Sequence, residues 1–421
     1  MSYVNLKYKP APSDLICEFY VEPARGRTVK FAAENIAAES SIGTWTDVST
    51  SKPYIKKLAA HVFSIRKHEN GFLVKIAYPL ELFEYNNIPQ ILSSVAGNIF
   101  GMKVVNNLRL DDMHLSKEIV KSFRGPKFGI AGVRKLLKVK NRPLLGTIVK
   151  PKLGLRTEDH AKVAYDAWSG GCDIVKDDEN LSNQKFNQFE KRLTQTLKMR
   201  DRAERETGER KVYMINVTAE TNEMIRRARL VKKHGGEYAM VDIITSGFSS
   251  LQTLRNADIG LVLHGHRAMH AALTRNKRHG ISMLVIAKLI RLIGLDQLHT
   301  GTIIGKLEGG KEIIDIDQEL RSKRIKEHHD VLQQDWFGLK PVFPVCSGGL
   351  HPGHVPKLVK FFGKDIIIQM GGGIHGNKLG SRLGAVSARQ AIDAVMNNIS
   401  LENYAKTHPE LKSTLNQFCQ K

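Results

Sequence analysis

The sequence predicts an α/β protein, a C-terminal (β/α)8 barrel preceded by an α+β domain. At 421 residues the chain is long enough for two domains, or for one large barrel with an added module. From Leu144 onward, short apolar runs alternate with longer amphipathic segments, the rhythm of strands and helices in a parallel barrel. Residue types that do chemistry follow those runs, and the C-terminal ends of barrel strands are where such folds build active sites.

The runs, in order, are LLGTIV, CDIV, VYMINV, YAMVDII, GLVLHG, QLHTG, VFPVCS and DIIIQMG. Lys150 and Lys152 follow the first and Lys176 to Glu179 the second. His264, His266 and Arg267 lie at the fifth, and His299 at the sixth. Ser347 to Gly349 and Gly371 to Gly373 follow the last two. Upstream, LICEFYVEP, HVFSIRK and FLVKIAYP read as strands, and TVKFAAENIAAES and IPQILSSVAG carry helical patterns. No low-complexity linker marks the junction, which falls between Phe123 and Gly132. The expected division is an N-terminal α+β domain over 1–125 and a barrel catalytic domain with C-terminal helices over 126–421.

Composition narrows the class. Cys17, Cys172, Cys346 and Cys419 are scattered without a CxxC pair or zinc-like spacing, which favours a reducing, cytoplasmic compartment over a disulfide framework. MSYVNLKYKPAPSD has no apolar core of signal-peptide length, and no run approaches the roughly 18 apolar residues of a membrane span, so a soluble protein is expected. The net charge of +22 is spread over Arg134 to Arg142, Arg226 to Lys233, Arg275 to Arg278 and Arg321 to Lys326. Solvated helix faces are the plain explanation; attraction of a polyanionic substrate or salt-sensitive nucleic-acid binding are the functional ones.

In GGCDIVKDDEN, Gly170 to Asn180, an apolar strand runs into Lys176 and three consecutive acids. A solvated ion-pair cluster is one reading. The other is a magnesium site, since a hard cation wants oxygen ligands. Asp178 and Glu179 can supply them, but an ammonium at Lys176 would repel the metal, a conflict removed if carbon dioxide converts that lysine to an anionic carbamate. KPKLG sets Lys150 and Lys152 two apart, able to project to one side of an extended segment; two exposed loop lysines is the plain reading, and proton transfer, to which crowding and burial beside a metal site suit such lysines, is the functional one. In HGHRAMH a zinc pair lacks its completing ligands, so phosphate binding by Arg267 and acid/base work by His266 fit better, with His270 a structural hydrogen-bonder. GTIIGKLEGG is wrongly spaced for a Walker A loop and reads as a lid carrying Lys306, or as an exposed turn. SGG and GGG stand where barrels bind phosphate through backbone N–H groups, although tight turns also want glycine.

Together GTIVKPKLGL, GGCDIVKDDEN, HGHRAMHA, HTGTIIGKLEGG, PVCSGGLH and QMGGG, with AAESSIGTWT and GNIFGMK upstream, resemble the large subunit of ribulose bisphosphate carboxylase/oxygenase (RuBisCO) over nearly the whole chain. The shortened N-terminus, Gly265 and RLIGLDQLH look most like the archaeal form III branch. The resemblance implies a ferredoxin-like N-terminal domain and carboxylation of ribulose 1,5-bisphosphate to 3-phosphoglycerate, with oxygenation by O2 in competition. Form III members are linked to disposal of ribose from nucleoside monophosphates such as AMP, and some serve a sugar-phosphate cycle.

Position by position, the resemblance makes Lys176 the carbamylated lysine that binds Mg2+ with Asp178 and Glu179 and takes the C3 proton. Lys150, supported by Lys152, handles protons at C2. His266 assists hydration and proton transfer, and Lys306 closes over the carboxylate arriving from carbon dioxide. Arg267, His299 and Ser347 hold one phosphate; Thr44, Trp45, Gly348, Gly349, Gly371 and Gly372 hold the other. Glu39 and Asn98 come from the N-terminal domain of a partner in a homodimer or multiple of dimers. The chain departs from the family at Cys346 and at Ile374-His375. Two other readings compete. A RuBisCO-like enolase or isomerase for another sugar phosphate usually lacks several of these residues, and a nucleic-acid-binding protein would explain the charge but lacks a recognisable module.

Overall fold

The computed structural model describes residues 2–44, 46, 48–304 and 312–419. In chain order its strands are β1 (Leu15–Pro23), β2 (His61–His68), β3 (Gly71–Tyr78), β4 (Val105–His114), β5 (Leu144–Ile148), β6 (Ile174–Lys176), β7 (Val212–Asn216), β8 (Tyr238–Asp242), β9 (Val262–His266), β10 (Gly280–Ile281), β11 (Gln297–His299), β12 (Arg324–Ile325), β13 (Gln334–Asp335), β14 (Phe343–Cys346) and β15 (Ile367–Gln369). They fall into two compact units.

The first unit comprises Met1–Gly125, Met269–Gly294 and Ser322–Leu339. Its sheet has the order β10-β4-β1-β3-β2. Strands β1 to β4 pair antiparallel, with the helix Val29–Glu39 after β1 and the helix Ile88–Val95 after β3, which is the ferredoxin-like βαββαβ pattern. Local sequence explains both helices. Thr28 and Asn87 accept hydrogen bonds from the backbone N–H groups of Phe31 and Gln90, satisfying donors that a helix start leaves orphaned. Ala32, Ala33, Ile36 and Ala37 give the first helix its buried stripe.

The expected linear division at 125/126 does not coincide with this unit, because two later segments complete it. β10 pairs parallel to β4, Gly280 opposite Arg109. The helix Met283–Ile293, capped by Ser282, carries the buried Lys288, whose ammonium lies 2.6 Å from the fully buried Asp112 carboxylate on β4. The second Asp112 oxygen accepts from the Leu332 backbone N–H at 2.7 Å, in the segment that joins β12 to β13. A buried charge requires such partners.

The second unit is a closed parallel barrel in the order β11-β14-β15-β5-β6-β7-β8-β9, with helices between most strands. Strands covered on both faces should be apolar along their length, and every residue of β6, β7 and β8 is buried. Leu144, Ile174, Val212, Met214, Tyr238, Met240, Val262, Phe343, Val345 and Ile367 form one core cluster, joined by Val133 and Leu137 of the helix Gly129–Leu137. The helix Thr221–Lys233 buries Met224, Ile225, Ala228 and Val231 and leaves Arg226, Arg229, Lys232 and Lys233 exposed, so part of the positive charge rides on a solvated helix face. Among the described residues no helix is long and apolar enough to cross a membrane.

Candidate active site

At the end of β6 the pleat separates the lysine from the first of its three acids. Lys176 is fully buried; its ammonium nitrogen donates to the Asp177 carbonyl at 2.7 Å, approaches Met240 Sδ at 3.1 Å and lies 3.7 Å from Glu179 Oε2. Asp177 makes a different set of bonds. Its carboxylate accepts from Arg192 Nε at 3.1 Å, the Tyr213 hydroxyl at 2.5 Å and the Asn216 backbone N–H at 3.1 Å, with His160 Nε2 also at 3.1 Å. Burial opposes ionisation there, but Arg192, His160 and Tyr213 outweigh it and hold the carboxyl well below the usual range. Asp177 is a structural anchor, which leaves Asp178 and Glu179 for the site.

Desolvation pushes the Lys176 amine down, against the pull of Glu179 and Asp178, toward the neutral form. Asp178 Oδ2 accepts from Lys150 Nζ at 2.7 Å. Burial raises Asp178, yet the Lys150 hydrogen bond and charge and the Asn180 contacts leave it below its ordinary value. Glu179 is likewise lowered once Lys176 and His266 overcome its burial. Lys150 Cε also sits 3.3 Å from where a Cβ on Gly371 would be, so β5 and the turn after β15 meet at this lysine. Lys152 does not join it. It is exposed and has no partner among the described residues.

The histidines converge from neighbouring strands. His266 Nδ1 is 3.1 Å from Asp242 Oδ1 and its Nε2 is 3.5 Å from Glu179 Oε2. His299 lies 4.7 Å, ring centroid to ring centroid, from His266 and 4.9 Å from the buried His264. Desolvation pushes both His264 and His299 well below the ordinary imidazole value, so both are neutral. Ser347 Oγ is 2.8 Å from His299 Nδ1. Arg267 is pushed down to about 10 by burial, against Glu312, and remains a cation at neutral pH. Gly348 and Gly349 turn the chain at φ 113° and 72°, conformations that glycine adopts without strain.

In the first unit the Asn98 side-chain amide donates to Glu39 Oε1 at 3.2 Å, and Thr44 is exposed. Trp45 and Lys306 lie outside the described residues. His270 pairs with Thr274 at 3.0 Å, a structural bond.

Several site residues carried no sequence signal of their own. Asp242, at the end of β8, was hidden inside the apolar run YAMVDII. Gln369 closes β15 and reaches His299 Nε2 at 2.9 Å. Thr147 donates to the Met370 carbonyl at 2.7 Å and accepts from His375, Nε2 to Oγ1 2.9 Å, which gives the unusual His375 a place.

Family models match both parts of the chain: the ribulose bisphosphate carboxylase large chain catalytic domain over residues 129–418 and its N-terminal domain over 2–119. The chain belongs to the ribulose bisphosphate carboxylase large-chain family. It is 52% identical to the ribulose bisphosphate carboxylase of Methanosarcina barkeri over 100% of this chain and 99% of that protein. To that of Methanocaldococcus jannaschii it is 53% identical, over 99% of each. The octameric Rubisco of Pyrococcus horikoshii superposes with a TM-score of 0.93 at 48% identity, covering 100% of this chain and 97% of that one. The dimeric archaeal Rubisco of Hyperthermus butylicus superposes with 0.94 at 44%, covering 99% and 98%. These archaeal relatives agree with the form III resemblance.

RuBisCO membership implies, in general, magnesium and a carbamylated lysine, and the donor set fits them. Among the described residues no group of three or more histidine, cysteine, aspartate or glutamate side chains is arranged to hold a metal. Asp178 and Glu179 stand beside a buried amine that desolvation shifts toward its neutral form. A carbamate on Lys176 would add a third anionic oxygen beside those two carboxylates, and the neutral amine is the form that reacts with carbon dioxide.

Proposed function

We propose that this chain carboxylates ribulose 1,5-bisphosphate to 3-phosphoglycerate, with O2 as the competing gas. The observation that carries the reading is the fully buried, neutral-leaning Lys176 beside Asp178 and Glu179 at a barrel strand end. Mg2+, held by carbamylated Lys176 with those two carboxylates, would supply the positive charge that polarises the substrate's carbonyl and hydroxyl oxygens. Lys150, hydrogen-bonded to Asp178, moves protons at C2. Lys152 supports it from outside the hydrogen-bonded cluster. His266, oriented by Asp242, assists hydration and proton transfer. Arg267, His299 and Ser347 grip one phosphate; the backbone N–H groups of Gly348, Gly349, Gly371 and Gly372, with Thr44 and Trp45, grip the other. Lys306 stabilises the new carboxylate.

The active unit in this reading is a homodimer or a multiple of dimers, as the neighbours' assemblies suggest, with Glu39 and Asn98 supplied to the partner's barrel. Residues 1–125 then act as the donor domain and 126–421 as the catalytic one. Four unpaired cysteines favour a reducing cytoplasm, and ribose disposal from nucleoside monophosphates is the pathway we assign.

The deciding experiment is product analysis with labelled carbon dioxide and ribulose 1,5-bisphosphate. Label in 3-phosphoglycerate is expected. Solvent exchange of the C3 proton with no labelled product would replace the reading by an enolase or isomerase.

A further inference from the structure

His299, Ser347 and Gln369, from the ends of β11, β14 and β15, form a chain of two hydrogen bonds: Ser347 Oγ to His299 Nδ1 at 2.8 Å, and His299 Nε2 to Gln369 Oε1 at 2.9 Å. His299 and Gln369 are buried, and the Gln369 side-chain nitrogen has no partner among the described residues. Gln369 is held in place, since a Cβ on Gly146 would come within 2.9 Å of its Cγ.

A neutral imidazole has one N–H, so this chain can run in only two directions. With the proton on Nε2, the ring donates to Gln369 Oε1, and Ser347 must spend its only hydrogen on Nδ1. Ser347 would then face an anion with lone pairs alone, while the buried Gln369 N–H2 group stayed unsatisfied. Turning the amide over reverses every link. Its N–H donates to Nε2, Nδ1–H donates to Ser347 Oγ, and the serine hydrogen is free for a phosphate oxygen. The groups left short of a partner are then a carbonyl oxygen and one N–H in place of two N–H groups, a milder deficit.

We infer that Gln369 is a positioning residue that fixes His299 as the Nδ1–H tautomer and so makes Ser347 a donor to a substrate phosphate. The inference rests on the function proposed above and refines it: with both ring nitrogens engaged, His299 acts on the phosphate through the Ser347 hydroxyl and not by a bond of its own. Burial keeps His299 uncharged, as the relay requires.

Gln369→Glu tests it. A carboxylate can only accept from Nε2–H, which locks the chain in the wrong direction. The inhibition constant of inorganic phosphate against ribulose 1,5-bisphosphate should rise about 10- to 150-fold, the worth of a hydrogen bond to a charged group. Charge repulsion alone would also weaken binding, so the same substitution is made in Ser347→Ala. There the hydroxyl it mis-sets is gone, and the further loss should be less than about threefold. The uncharged Gln369→Met should fall between wild type and Gln369→Glu. Nitrogen-15 shifts of labelled histidine, with His299→Gln for assignment, should show Nδ1–H in the phosphate-bound wild type and Nε2–H in Gln369→Glu. A wild-type His299 protonated on Nε2 with phosphate bound, or a Gln369→Glu loss undiminished without Ser347, overturns the relay. A wild type that fixes no labelled carbon dioxide overturns the carboxylase reading instead.

Discussion

Gly301 stands against the guanidinium of Arg267, and replacing it with alanine should separate substrate grip from fold. A Cβ at that position would lie 2.2 Å from Arg267 Nη2, well inside contact distance, and the residue has φ +83°. Two costs follow. Alanine in the left-handed region is disfavoured by roughly 1–2 kcal/mol, which a chain of this size absorbs. The clash falls on the far end of a flexible side chain, so Arg267 moves rather than the backbone. If Arg267 holds a substrate phosphate, displacing it forfeits a charge-assisted hydrogen bond of about 1.5–3 kcal/mol, or roughly 10- to 150-fold in kcat/KM.

The assay is the initial carboxylation rate over a range of ribulose 1,5-bisphosphate concentrations, with the loss expected mainly in KM. Gly372→Ala is the companion measurement. Among the described residues no side chain or neighbouring backbone lies within 4 Å of a Cβ there and no positive φ stands in the way, so the methyl group tests whether a phosphate binds at that backbone. A Gly301→Ala enzyme with KM within about twofold of wild type would refute the assignment of Arg267 to the phosphate.

Preincubation with bicarbonate and magnesium should raise the initial rate, and Lys176→Ala should abolish turnover; near-normal carboxylation by that variant would sink the carbamate. Activation consumes the neutral amine, and burial lowers the Lys176 pKa, so the activation rate should climb with pH and level off below the ~10.4 of a free lysine. Arg192→Met leaves Asp177 buried without its cation, and should lower stability by about 3–5 kcal/mol in urea unfolding at pH 7. Asp177 is depressed in the folded state, so its contribution is present above the unfolded value of ~3.9 and lost as pH falls through the folded one, and the deficit should narrow below about pH 4. Lys306→Ala should still exchange the C3 proton with solvent while forming almost no 3-phosphoglycerate; loss of both would move Lys306 to binding or folding. Glu39→Gln and Lys176→Ala should each be inactive alone, and random reassembly should restore about a quarter of wild-type activity. Heterodimers that form without activity would mean that Glu39 serves its own chain.

The barrel was legible because its strands are short, apolar and spaced by helical segments, and because chemistry collects at one end of each. β4 was not read as a strand. Its run VNNLRLDDMH carries Arg109, Asp111 and Asp112, and nothing local says that Asp112 is neutralised by Lys288, far along the chain. β10 has two residues and exists only as an addition to β4. Within the site, Lys176, Asp178 and Glu179 stood out and Asp177 was left aside, but nothing local said what would hold Asp177 away. Its anchor is Arg192, in the helix that follows. Lys150 and Lys152 share a spacing but not a setting, since of the two only Lys150 meets a carboxylate among the described residues. Asp242 and Gln369 were silent, because a polar residue that ends an apolar strand looks the same whether it orients a histidine or meets water.

The first unit closes late in synthesis. Its sheet edge takes β10 and its buried Asp112 takes Lys288 and the Leu332 N–H, all made after most of the barrel strands. A ribosome adding roughly 5–20 residues per second needs on the order of 10–40 seconds to pass from residue 125 to residue 339. During that interval Asp112 has the Met113 N–H but not the Lys288 cation, and the β4 edge has no β10 to pair with. Expression of 1–125 by itself would leave β4 without β10 and Asp112 without Lys288, so the piece that looks like a free-standing module in the linear sequence borrows part of its sheet and its counter-charge from residues far downstream.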